Sequence, residues 1–329
     1  MTRTHRPIPE APATLDRPLS SHERDAPIPE LVGDPFGGPI EGLRGRARLG
    51  RIAMELTARH HEALDLVGRH PFLPLADLEA LLRRGLPAVR RLVQELHDLG
   101  LVRQVTADEV AAATADLAEL EPLELTRDGA ELMAARLGLS LGEAVRYLGF
   151  AGGGPERPFG RRDELVGDLA HTIGAHAFFV GLAEDLRRVG AHGNDALLVW
   201  RSRAVCRHGR LDPDGYGVVR RDGALHDFFL EYETGASADE ALRRKFAAYH
   251  AYRASGRFAR DYADDPSPRC LPARPRFPTV LVVAPDAATE DRLAAAARVA
   301  DDGRSERLAV LLTHVGLLAG GLAPWRRRR

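Results

Sequence analysis

Acidic residues flank a tight turn in the second half of the sequence. Asp222 and Gly223 separate two strand-like runs, and an Asp-Gly pair is a strong signal for a two-residue type I′ hairpin. If the turn carries no bulge, Asp214 lies directly opposite Glu231 on the neighbouring strand. Facing residues of an antiparallel pair have Cβ atoms roughly 4.5 to 5.5 Å apart, so two carboxylates there repel each other. The spacing therefore predicts an acidic site that needs a compensating charge.

Two further carboxylates extend this predicted site. Asp212 would lie opposite Glu233, and residues two apart on a strand share a face, so all four side chains point the same way. Mg²⁺ could compensate their charge, because it prefers oxygen ligands and often binds one or two carboxylates with water. Arginines from the following helix could do the same without a metal, and so could a carboxylate that stays protonated. The spacing alone leaves these three forms of compensation open.

Lys245 is the single lysine among 46 basic residues, the others being arginine. Arginine can replace lysine at most solvated positions, but not where a compact ammonium group with a movable proton is needed. Lys245 and Tyr249 are four residues apart in a segment with a helical pattern, so they share one face of that helix. We therefore treat Lys245 as a candidate functional residue and Tyr249 as an accessory candidate.

The order of helical and strand patterns around these residues predicts an α/β domain over residues 161–329. Helices that alternate with strands are typical of α/β layers, and the early strands are expected to be adjacent and antiparallel. His171 lies on the first of the helices, from which it could approach the acidic strands as an accessory residue. The expected elements are a helix over Asp163–Val189, three strands over LLVWRSRAVC, LDPDGYGVVR and LHDFFLEYET, a helix over Ala238–Ala254, a strand over Thr279–Ala284, a helix over Ala287–Ala300 and a strand near Leu308–Thr313.

The acidic residues also resemble the motif of the PD-(D/E)xK nuclease superfamily. A Pro-Asp pair that ends at Asp214 and the sequence EYE that begins at Glu231 match its two acidic positions. The resemblance implies that Asp214 and Glu231 hold Mg²⁺ and that a lysine two positions later orients or activates the attacking water. Glu233 occupies that lysine position, and the resemblance implies that Lys245 supplies the ammonium group from the neighbouring helix. The candidate catalytic residues are Asp214, Glu231, Glu233 and Lys245.

The first half of the sequence has the pattern of a helix-turn-helix. Apolar residues recur every three or four positions over Ile52–Arg69, a second helix is expected over Leu75–Leu82, and a third over Pro87–Leu99 ends at Gly100. Two short strands, LVRQV and PLELT, and a helix that begins near Arg127 come next. Two strands after the third helix would form a wing.

This order resembles the winged helix-turn-helix family of DNA-binding domains over residues 50–138. The segments VRRLVQELHDLGLVRQV and LELTRDGAELM have the family's order of recognition helix, strand and final helix. The resemblance implies docking on duplex DNA, where arginine and glutamine can read base edges and further arginines can neutralise phosphates. A winged helix that serves in protein interaction or dimerisation stays open as an alternative. The candidate DNA-binding residues are Arg83, Arg84, Arg90, Arg91, Gln94 and Arg103.

The complete arrangement resembles the replication-relaxation family of bacterial plasmid and mobile-element proteins. The segments that carry the resemblance are LAHTIGAHAFFVGLAEDL, WRSRAV, LDPDGYGVV, FFLEYETGA and LRRKFAAYHAY. It spans about residues 50–285. It implies DNA-linked work in plasmid replication or transfer, with replication or transfer proteins as partners.

Composition narrows the class of protein further. With 46 basic and 47 acidic residues the formal charge is -1, so no chain-wide field draws the protein to nucleic acid or to an anionic membrane. Two cysteines far apart in the chain provide neither a disulfide framework nor a zinc site. The N-terminus lacks the apolar core of a signal peptide, and the longest apolar stretch is broken by His314 and Gly316. We therefore expect a cytoplasmic protein that does not span a membrane.

The sequence thus predicts a multi-domain α/β fold. A disordered tail is expected over residues 1–49, which lack apolar periodicity. The winged helix-turn-helix over 50–138 would be joined by a Gly- and Pro-rich linker, 139–160, to a restriction-endonuclease-like α/β domain over 161–329. Our hypothesis is a DNA-binding protein of plasmid replication or mobilisation that acts as a Mg²⁺-dependent nuclease. The alternative is a non-catalytic regulator of replication or transcription with a degenerate nuclease fold.

Overall fold

The computed structural model describes residues 39–110, 119–189, 195–221, 223–262 and 277–315. The helices named below are α1 (Pro39–Glu55), α2 (Ala58–Arg69), α3 (Leu75–Leu82), α4 (Leu86–Asp98), α5 (Arg127–Arg136), α6 (Arg162–Gly167), α7 (Leu169–Val189), α8 (Asp239–Ala254) and α9 (Ala287–Asp301). The strands are β1 (Leu73–Pro74), β2 (Val102–Gln104), β3 (Pro122–Leu125), β4 (Ala196–Ser202), β5 (Gly215–Arg221), β6 (Ala224–Tyr232), β7 (Thr279–Ala284) and β8 (Val310–His314). None of these helices is long and apolar enough to cross a membrane.

The chain divides into two compact units, residues 1–50 and residues 51–329. A disordered tail is predicted over residues 1–49, but in the structure helix α1 begins at Pro39, within this range. Proline fits the first turn of a helix, where its missing N–H is not needed, and the arginine, leucine and alanine residues that follow favour the helix. Residues 1–38 lie outside the described part of the chain.

The helices of the first half lie where the sequence pattern places them, with one break. The single helix predicted over Ile52–Arg69 is divided between α1 and α2, because Thr57 is extended and starts α2. The backbone N–H of Thr57 donates to Nδ1 of His60 at 3.0 Å, and this contact caps the start of α2. Helix α3 has the predicted bounds, and α4 begins and ends one residue earlier than predicted.

Strands β1, β2 and β3 form an antiparallel sheet in the order β1-β3-β2. Helix α5 follows at once, and Oγ1 of Thr126 accepts from the N–H of Gly129 at 3.1 Å and donates to the carbonyl oxygen of Gly100 at 2.6 Å. A Cβ atom on Gly129 would lie 2.0 Å from the carbonyl oxygen of Leu101, so only glycine fits there. The residues LTRDG, within the segment LELTRDGAELM, therefore form a helix cap that closes against the turn before β2.

The segment expected to be a linker, residues 139–160, makes specific contacts with the small sheet. It contains a short helix, Leu141–Glu143. Gly152 forms isolated β-bridges with Leu125 and with Phe159. A Cβ atom on Gly152 would lie 2.1 Å from the carbonyl oxygen of Leu125. The glycine is therefore required by the close approach of two backbone segments.

The second sheet contains five strands in the order β4-β5-β6-β7-β8. Strands β4, β5 and β6 are antiparallel, whereas β6, β7 and β8 are parallel. Strands β5 and β6 pair in the register that the two-residue turn predicts, with Arg221 facing Ala224. Gly223 has a φ of 76°, as the second turn position requires, and Asp222 lies outside the described residues.

Helices cover both faces of the five-stranded sheet. Alternate residues of β6 face opposite ways, so Phe228 and Leu230 pack with α7, whereas Phe229 packs with α8 and α9. The long helix predicted from residue 163 is interrupted at Asp168, which separates α6 from α7. This arrangement of helix, sheet and helix layers confirms the predicted α/β class.

A buried aromatic stack joins the end of α2 to β4. The ring of His70 lies over that of Trp200 with 3.5 Å between the ring centroids and 15° between the planes. His176 of α7 meets both rings edge-on. Burial lowers the pKa of His70 well below its usual range and that of His176 to about 3. Both histidines are therefore neutral packing groups between the first helices and the larger sheet.

Candidate functional site

The candidate site is at the end of β6 that α8 covers. Glu231 belongs to the face of β6 that packs on α8, and the N–H of Glu233 donates to the carbonyl oxygen of Val283 at 2.8 Å just beyond the strand. Asp214 precedes β5, and its N–H donates to the carbonyl oxygen of Leu230 at 3.0 Å. Glu231 is 1% exposed and Asp214 is 4% exposed. The register therefore brings buried carboxylates from two neighbouring strands to one end of the sheet.

Lys245 of α8 contacts two of these carboxylates. Its Nζ atom lies 2.6 Å from Oε2 of Glu231 and 2.5 Å from Oε1 of Glu233. Ser237 donates to the other oxygen of Glu233, Oε2, at 2.9 Å. Burial disfavours the charged ammonium group, but the neighbouring carboxylates outweigh burial and raise the pKa of Lys245. The single lysine of the chain is therefore a charged bridge between two glutamates.

Tyr249 lies one helical turn after Lys245 and contacts the same glutamate. Its hydroxyl donates to Oε1 of Glu231 at 2.5 Å. Burial raises the pKa of Tyr249 well above its usual range, so the phenol stays protonated and can donate. Burial also raises the pKa of Glu231 to about 7, although Lys245 acts in the opposite direction. The Glu231 carboxyl therefore changes its protonation near neutral pH.

Asp214 is held by His171 of α7 and by the backbone of β6. Nε2 of His171 lies 2.6 Å from Oδ1 of Asp214, and the N–H of Tyr232 donates to Oδ2 at 2.8 Å. Burial acts to raise the pKa of Asp214, but the contact with His171 and the nearby cations lower this pKa below its ordinary value. The same pair raises the pKa of His171, against the effect of its burial. Asp214 therefore stays ionised at neutral pH.

The protein's own cations offset much of the negative charge of this cluster. Lys245 contributes from α8, and Arg203, a residue that the sequence did not single out, has its Nε atom 3.8 Å from Oδ1 of Asp214. Arg203 comes from the turn after β4, whereas the sequence analysis considered arginines of the following helix. Within the described residues, no three His, Cys, Asp or Glu side chains are grouped so that they could hold a metal ion by themselves.

Asp212 is not paired with Glu233, so that prediction is wrong, and Asp212 is linked to the cluster through Arg203, whose Nη2 atom lies 3.6 Å from Oδ2 of Asp212. The β5 ladder ends at Gly215, because the chain before it leaves the strand direction. Asp212 instead accepts two hydrogen bonds from Arg161, at 3.0 and 2.9 Å, and one from Arg207 at 2.8 Å. Arginine, one of the three predicted forms of charge compensation, therefore balances the negative charge of Asp212 most directly.

A cleft of about 670 Å³ opens beside Glu231 and Lys245. Helix α8 forms one wall of the cleft, and the loop 208–212 forms another part of its lining. The arginines in this lining are Arg210, Arg244 and Arg257. The cleft therefore places three arginines around the half-buried Lys245 and beside the buried Glu231.

The predicted DNA-binding residues of α4 are on its exposed face. Arg91 and Gln94 are exposed, and Gln94 donates to Oδ1 of Asp98 at 2.7 Å. Arg90 is also exposed and donates twice to Glu121, at 2.7 and 2.5 Å. These side chains line a second cleft, of about 470 Å³, between α4 and the small sheet. The face of α4 that the sequence selects is therefore open to solvent.

The other predicted DNA-binding residues have different surroundings. Arg83 is exposed and ends α3 in a left-handed conformation, with a φ of 55°. Arg84 follows it and is half-buried. Arg103 of β2 is half-buried as well, and its Nη1 atom donates to Oε2 of Glu109 at 3.0 Å. Arg83 is thus the most accessible of these three side chains, whereas Arg103 takes part in an ion-pair network.

This ion-pair network lies at the base of the small sheet and was missed by the sequence analysis. Nε of Arg162 in α6 donates to Oε2 of Glu124 in β3 at 2.9 Å, and Nη2 of Arg162 donates to Oε1 of Glu109 at 2.6 Å. Arg103 contacts both glutamates. Glu124 is 0% and Arg162 is 3% exposed. A glutamate inside the apolar strand PLEL is the one signal that could have drawn attention to the network.

The match to a known family covers the region that holds both α4 and the acidic cluster. The sequence profile of the replication-relaxation family matches residues 64–266, which is more than half of the chain. A search of curated proteins and a search of solved structures find no match. The family resemblance that the sequence shows is therefore confirmed, and the chain belongs to the replication-relaxation family.

Proposed function

We propose that this protein binds duplex DNA through α4 and hydrolyses a phosphodiester bond at Asp214, Glu231 and Lys245. Membership of the replication-relaxation family suggests a role in plasmid or mobile-element replication, and we place the reaction there. The observation that carries the hydrolytic part is the position of Lys245. Its ammonium group bridges two glutamates beside a cleft, and buried Asp214 lies at the start of the neighbouring strand.

The residues of the cluster have separate roles in this proposal. Lys245 stabilises the negative charge that develops on the phosphate oxygens as water attacks the phosphorus atom. Glu233 provides the second carboxylate that holds the Lys245 ammonium group in place. His171 fixes the orientation of the Asp214 carboxylate through its Nε2 atom. The protein thereby positions fixed charges around one point in the cleft before any substrate enters.

The two acidic residues fit a hard divalent cation by the chemistry of their donors. Asp214 and Glu231 offer carboxylate oxygens, and Mg²⁺ sites often consist of one or two carboxylates with water and substrate phosphate oxygens. Burial raises the pKa of Glu231, so its negative charge is costly in the fold and a bound cation would stabilise it. In our proposal Asp214 and Glu231 hold Mg²⁺, which when bound supplies positive charge to the phosphate oxygens.

Helix α4 is the proposed contact with duplex DNA. It is the helix that enters the major groove in a winged helix-turn-helix, and Arg90, Arg91 and Gln94 are on its exposed face. Arginine can bind guanine and glutamine can bind adenine through two hydrogen bonds each. Arg83 and Arg84, in the turn before α4, are suited to phosphate contacts.

The hydrolytic proposal is tested on supercoiled plasmid. Purified protein with Mg²⁺ or Mn²⁺ is expected to convert the plasmid to nicked circles, and Asp214→Ala is expected to abolish this activity. Asp291→Ala removes an exposed carboxylate of α9 and is the matched control, with an unchanged rate expected. Full activity in a folded Asp214→Ala variant would show that this residue is not part of a catalytic site.

DNA binding by α4 is tested separately with a duplex in a gel-shift assay. The double variant Arg90→Ala and Arg91→Ala removes two positive charges from the exposed face, and we expect its affinity to fall about tenfold. Arg298→Ala removes an exposed positive charge from α9 and should leave the affinity unchanged. Unchanged affinity in the double variant would exclude α4 as the DNA-reading helix.

A second candidate function is DNA binding without catalysis. Lys245 already forms ion pairs with both Glu231 and Glu233 without a metal, as a structural cluster of a degenerate nuclease fold would. The two assays above separate the candidates. Absence of Mg²⁺-dependent nicking, together with a gel shift that the double variant Arg90→Ala and Arg91→Ala weakens, would favour the non-catalytic function.

A further inference from the structure

The cleft beside Glu231 has basic side chains without partners. Arg210 and Arg244 line it, both are exposed, and neither forms an ion pair with any residue of the described ranges. A third arginine, Arg257, has its Nε atom 3.5 Å from Asp261, which is at the long end for an ion pair. Unpaired guanidinium groups beside an opening are well suited to contact phosphate oxygens.

Aromatic rings form part of the lining of the same cleft, where the His208 side chain is 16% exposed and Tyr252 is 5% exposed. The ring of His208 stacks on that of Tyr252 with 5.4 Å between the ring centroids and 13° between the planes, and both residues line the cleft. Burial lowers the pKa of His208, so its ring is neutral at pH 7. A positively charged groove with aromatic rings is the combination that binds unpaired nucleotides, because every base has a face that can stack.

The volume of the cleft and the burial of Glu231 favour an unpaired strand over a duplex as the ligand. Its volume, about 670 Å³, is in the range of roughly 300 to 1,000 Å³ that small-molecule pockets have, which is room for one or two nucleotides. Glu231, next to this space, is only 1% exposed. The alanines of one wall, Ala241, Ala248 and Ala251, keep the cleft open without offering hydrogen bonds to base edges. A paired duplex is too bulky to enter, whereas an unpaired strand can bend into the cleft.

We propose that this cleft binds a single-stranded segment of nucleic acid, with phosphates at Arg210 and Arg244 and a base against His208. The proposal names the substrate class of the Glu231–Lys245 site and therefore rests on the function proposed for that site. Helix α4 would hold duplex DNA, and the strand that enters the cleft would be unpaired. The small alanine wall predicts little preference for base identity.

The test is fluorescence anisotropy with three labelled probes in EDTA, so that no cleavage occurs. The probes are a twelve-nucleotide oligo-dT, an RNA oligo-U of the same length, and a twelve-base-pair DNA duplex. Arg210→Ala with Arg244→Ala is expected to weaken binding of the preferred single strand about tenfold. The slope of log affinity against log salt should fall by about 1.4, since each lost phosphate contact on a single strand removes roughly 0.7. The duplex should bind as before.

A matched control and a stacking variant make the test specific. Arg243→Ala with Arg260→Ala removes two positive charges outside the lining of the cleft, and single-strand affinity should not change. His208→Ala should weaken single-strand binding about tenfold without a change in salt slope, because it removes stacking rather than charge. Comparison of the two oligonucleotides identifies which sugar the cleft accepts, and tighter binding of either one supports the proposal.

The outcomes separate this proposal from the hydrolytic one. Equal losses for duplex and single strand, or an equal loss in the control variant, would overturn the single-strand cleft even if the wild-type protein nicks plasmid. The expected pattern of affinities without any nicking would support the cleft and reject hydrolysis. The Asp214→Ala variant, which keeps the arginines and His208, should bind the oligonucleotide with at least wild-type affinity.

Discussion

Nζ of Lys245 lies 2.6 Å from Oε2 of Glu231, a residue that is 1% exposed. Glu231 has a second buried partner, the hydroxyl of Tyr249, on the same face of α8. A buried carboxylate loses most of its hydration, and here a hydrogen bond from Tyr249 to Oε1 and the nearby charge of Lys245 at Oε2 offset that loss. The pairing therefore joins α8 to β6 at the same point where the proposed chemistry occurs.

Replacement of Lys245 should destabilise the fold as well as the site. Lys245→Met leaves Glu231 and Glu233 without their shared counter-charge, and removal of one partner of a buried pair costs roughly 3 to 5 kcal/mol. Because the Lys245 side chain is 28% exposed, solvent weakens the pair and we expect a cost below this range, about 2 to 3 kcal/mol. Urea denaturation measures the free energy of unfolding.

A neighbouring basic residue provides the control for Lys245. Arg243→Met removes an exposed charge of α8 that pairs with Glu240, and its cost should be within about 0.5 kcal/mol. Lys245→Arg keeps the charge but replaces the compact ammonium group by a planar fork, so it should be intermediate. Equal stability of Lys245→Met and Arg243→Met would show that the buried bridge contributes nothing.

The raised pKa of Glu231 predicts a pH dependence of stability in metal-free buffer. Its ordinary pKa is 4.5 and its folded pKa is about 7, so between these values the unfolded state releases the proton that the folded state retains. Stability should therefore fall as pH rises from about 4.5 to 7, by an amount on the order of 3 kcal/mol for this group. The measurement is the difference between wild-type and Glu231→Gln unfolding free energies over this range. A difference that stays constant with pH would contradict the raised pKa.

The register of β5 and β6 was predictable because it depends on neighbouring residues. A two-residue connection leaves no slack, so the Asp-Gly pair determined which residues face each other up to Gly215. The spacing of Lys245 and Tyr249 was likewise a local signal, since residues four apart share a helix face. Both side chains contact Glu231, the residue that the strand pattern had selected.

Contacts between distant segments were not predictable in this way. Arg162 and Glu124 are 38 positions apart, and no periodicity connects them. The prediction for Asp212 extends the strand pattern three residues beyond the end of the ladder at Gly215, and arginines from other segments contact this residue. The partners of such charges depend on how helices pack on sheets, which hydrophobic spacing alone does not encode.

The ion-pair network at the base of the small sheet predicts unequal effects of two similar substitutions. Glu124→Gln removes the negative charge that faces Arg103 and Arg162 in a buried site, and we expect a loss of about 3 kcal/mol. Glu121→Gln alters the more exposed pair with Arg90 and should cost less than about 1 kcal/mol. Urea denaturation of both variants tests the difference. Equal costs would show that the network is not the stabilising contact described here.

The aromatic stack at the junction of α2 and β4 predicts sensitivity to acid. His176 is neutral in the fold because burial lowers its pKa to about 3, whereas the unfolded chain binds a proton near pH 6.5. Stability should therefore decrease as pH falls from 6.5 towards 3. His176→Phe keeps an aromatic ring without a titrating nitrogen and should lower the midpoint of acid unfolding, followed by circular dichroism. His97→Gln, at an exposed position, is the control. An unchanged midpoint for His176→Phe would exclude this histidine as a source of acid sensitivity.

The buried contact between Arg162 and Glu124 joins α6, which leads into the larger sheet, to β3, the strand that pairs with β2 next to α4. A joint of this kind resists bending, because separating its two charges would leave both of them unsolvated. The contact thus holds α4, the helix proposed to bind duplex DNA, at a fixed distance from the cleft proposed to bind an unpaired strand. Any scission would consequently fall at a constant offset, counted in nucleotides, from the sequence that α4 recognises.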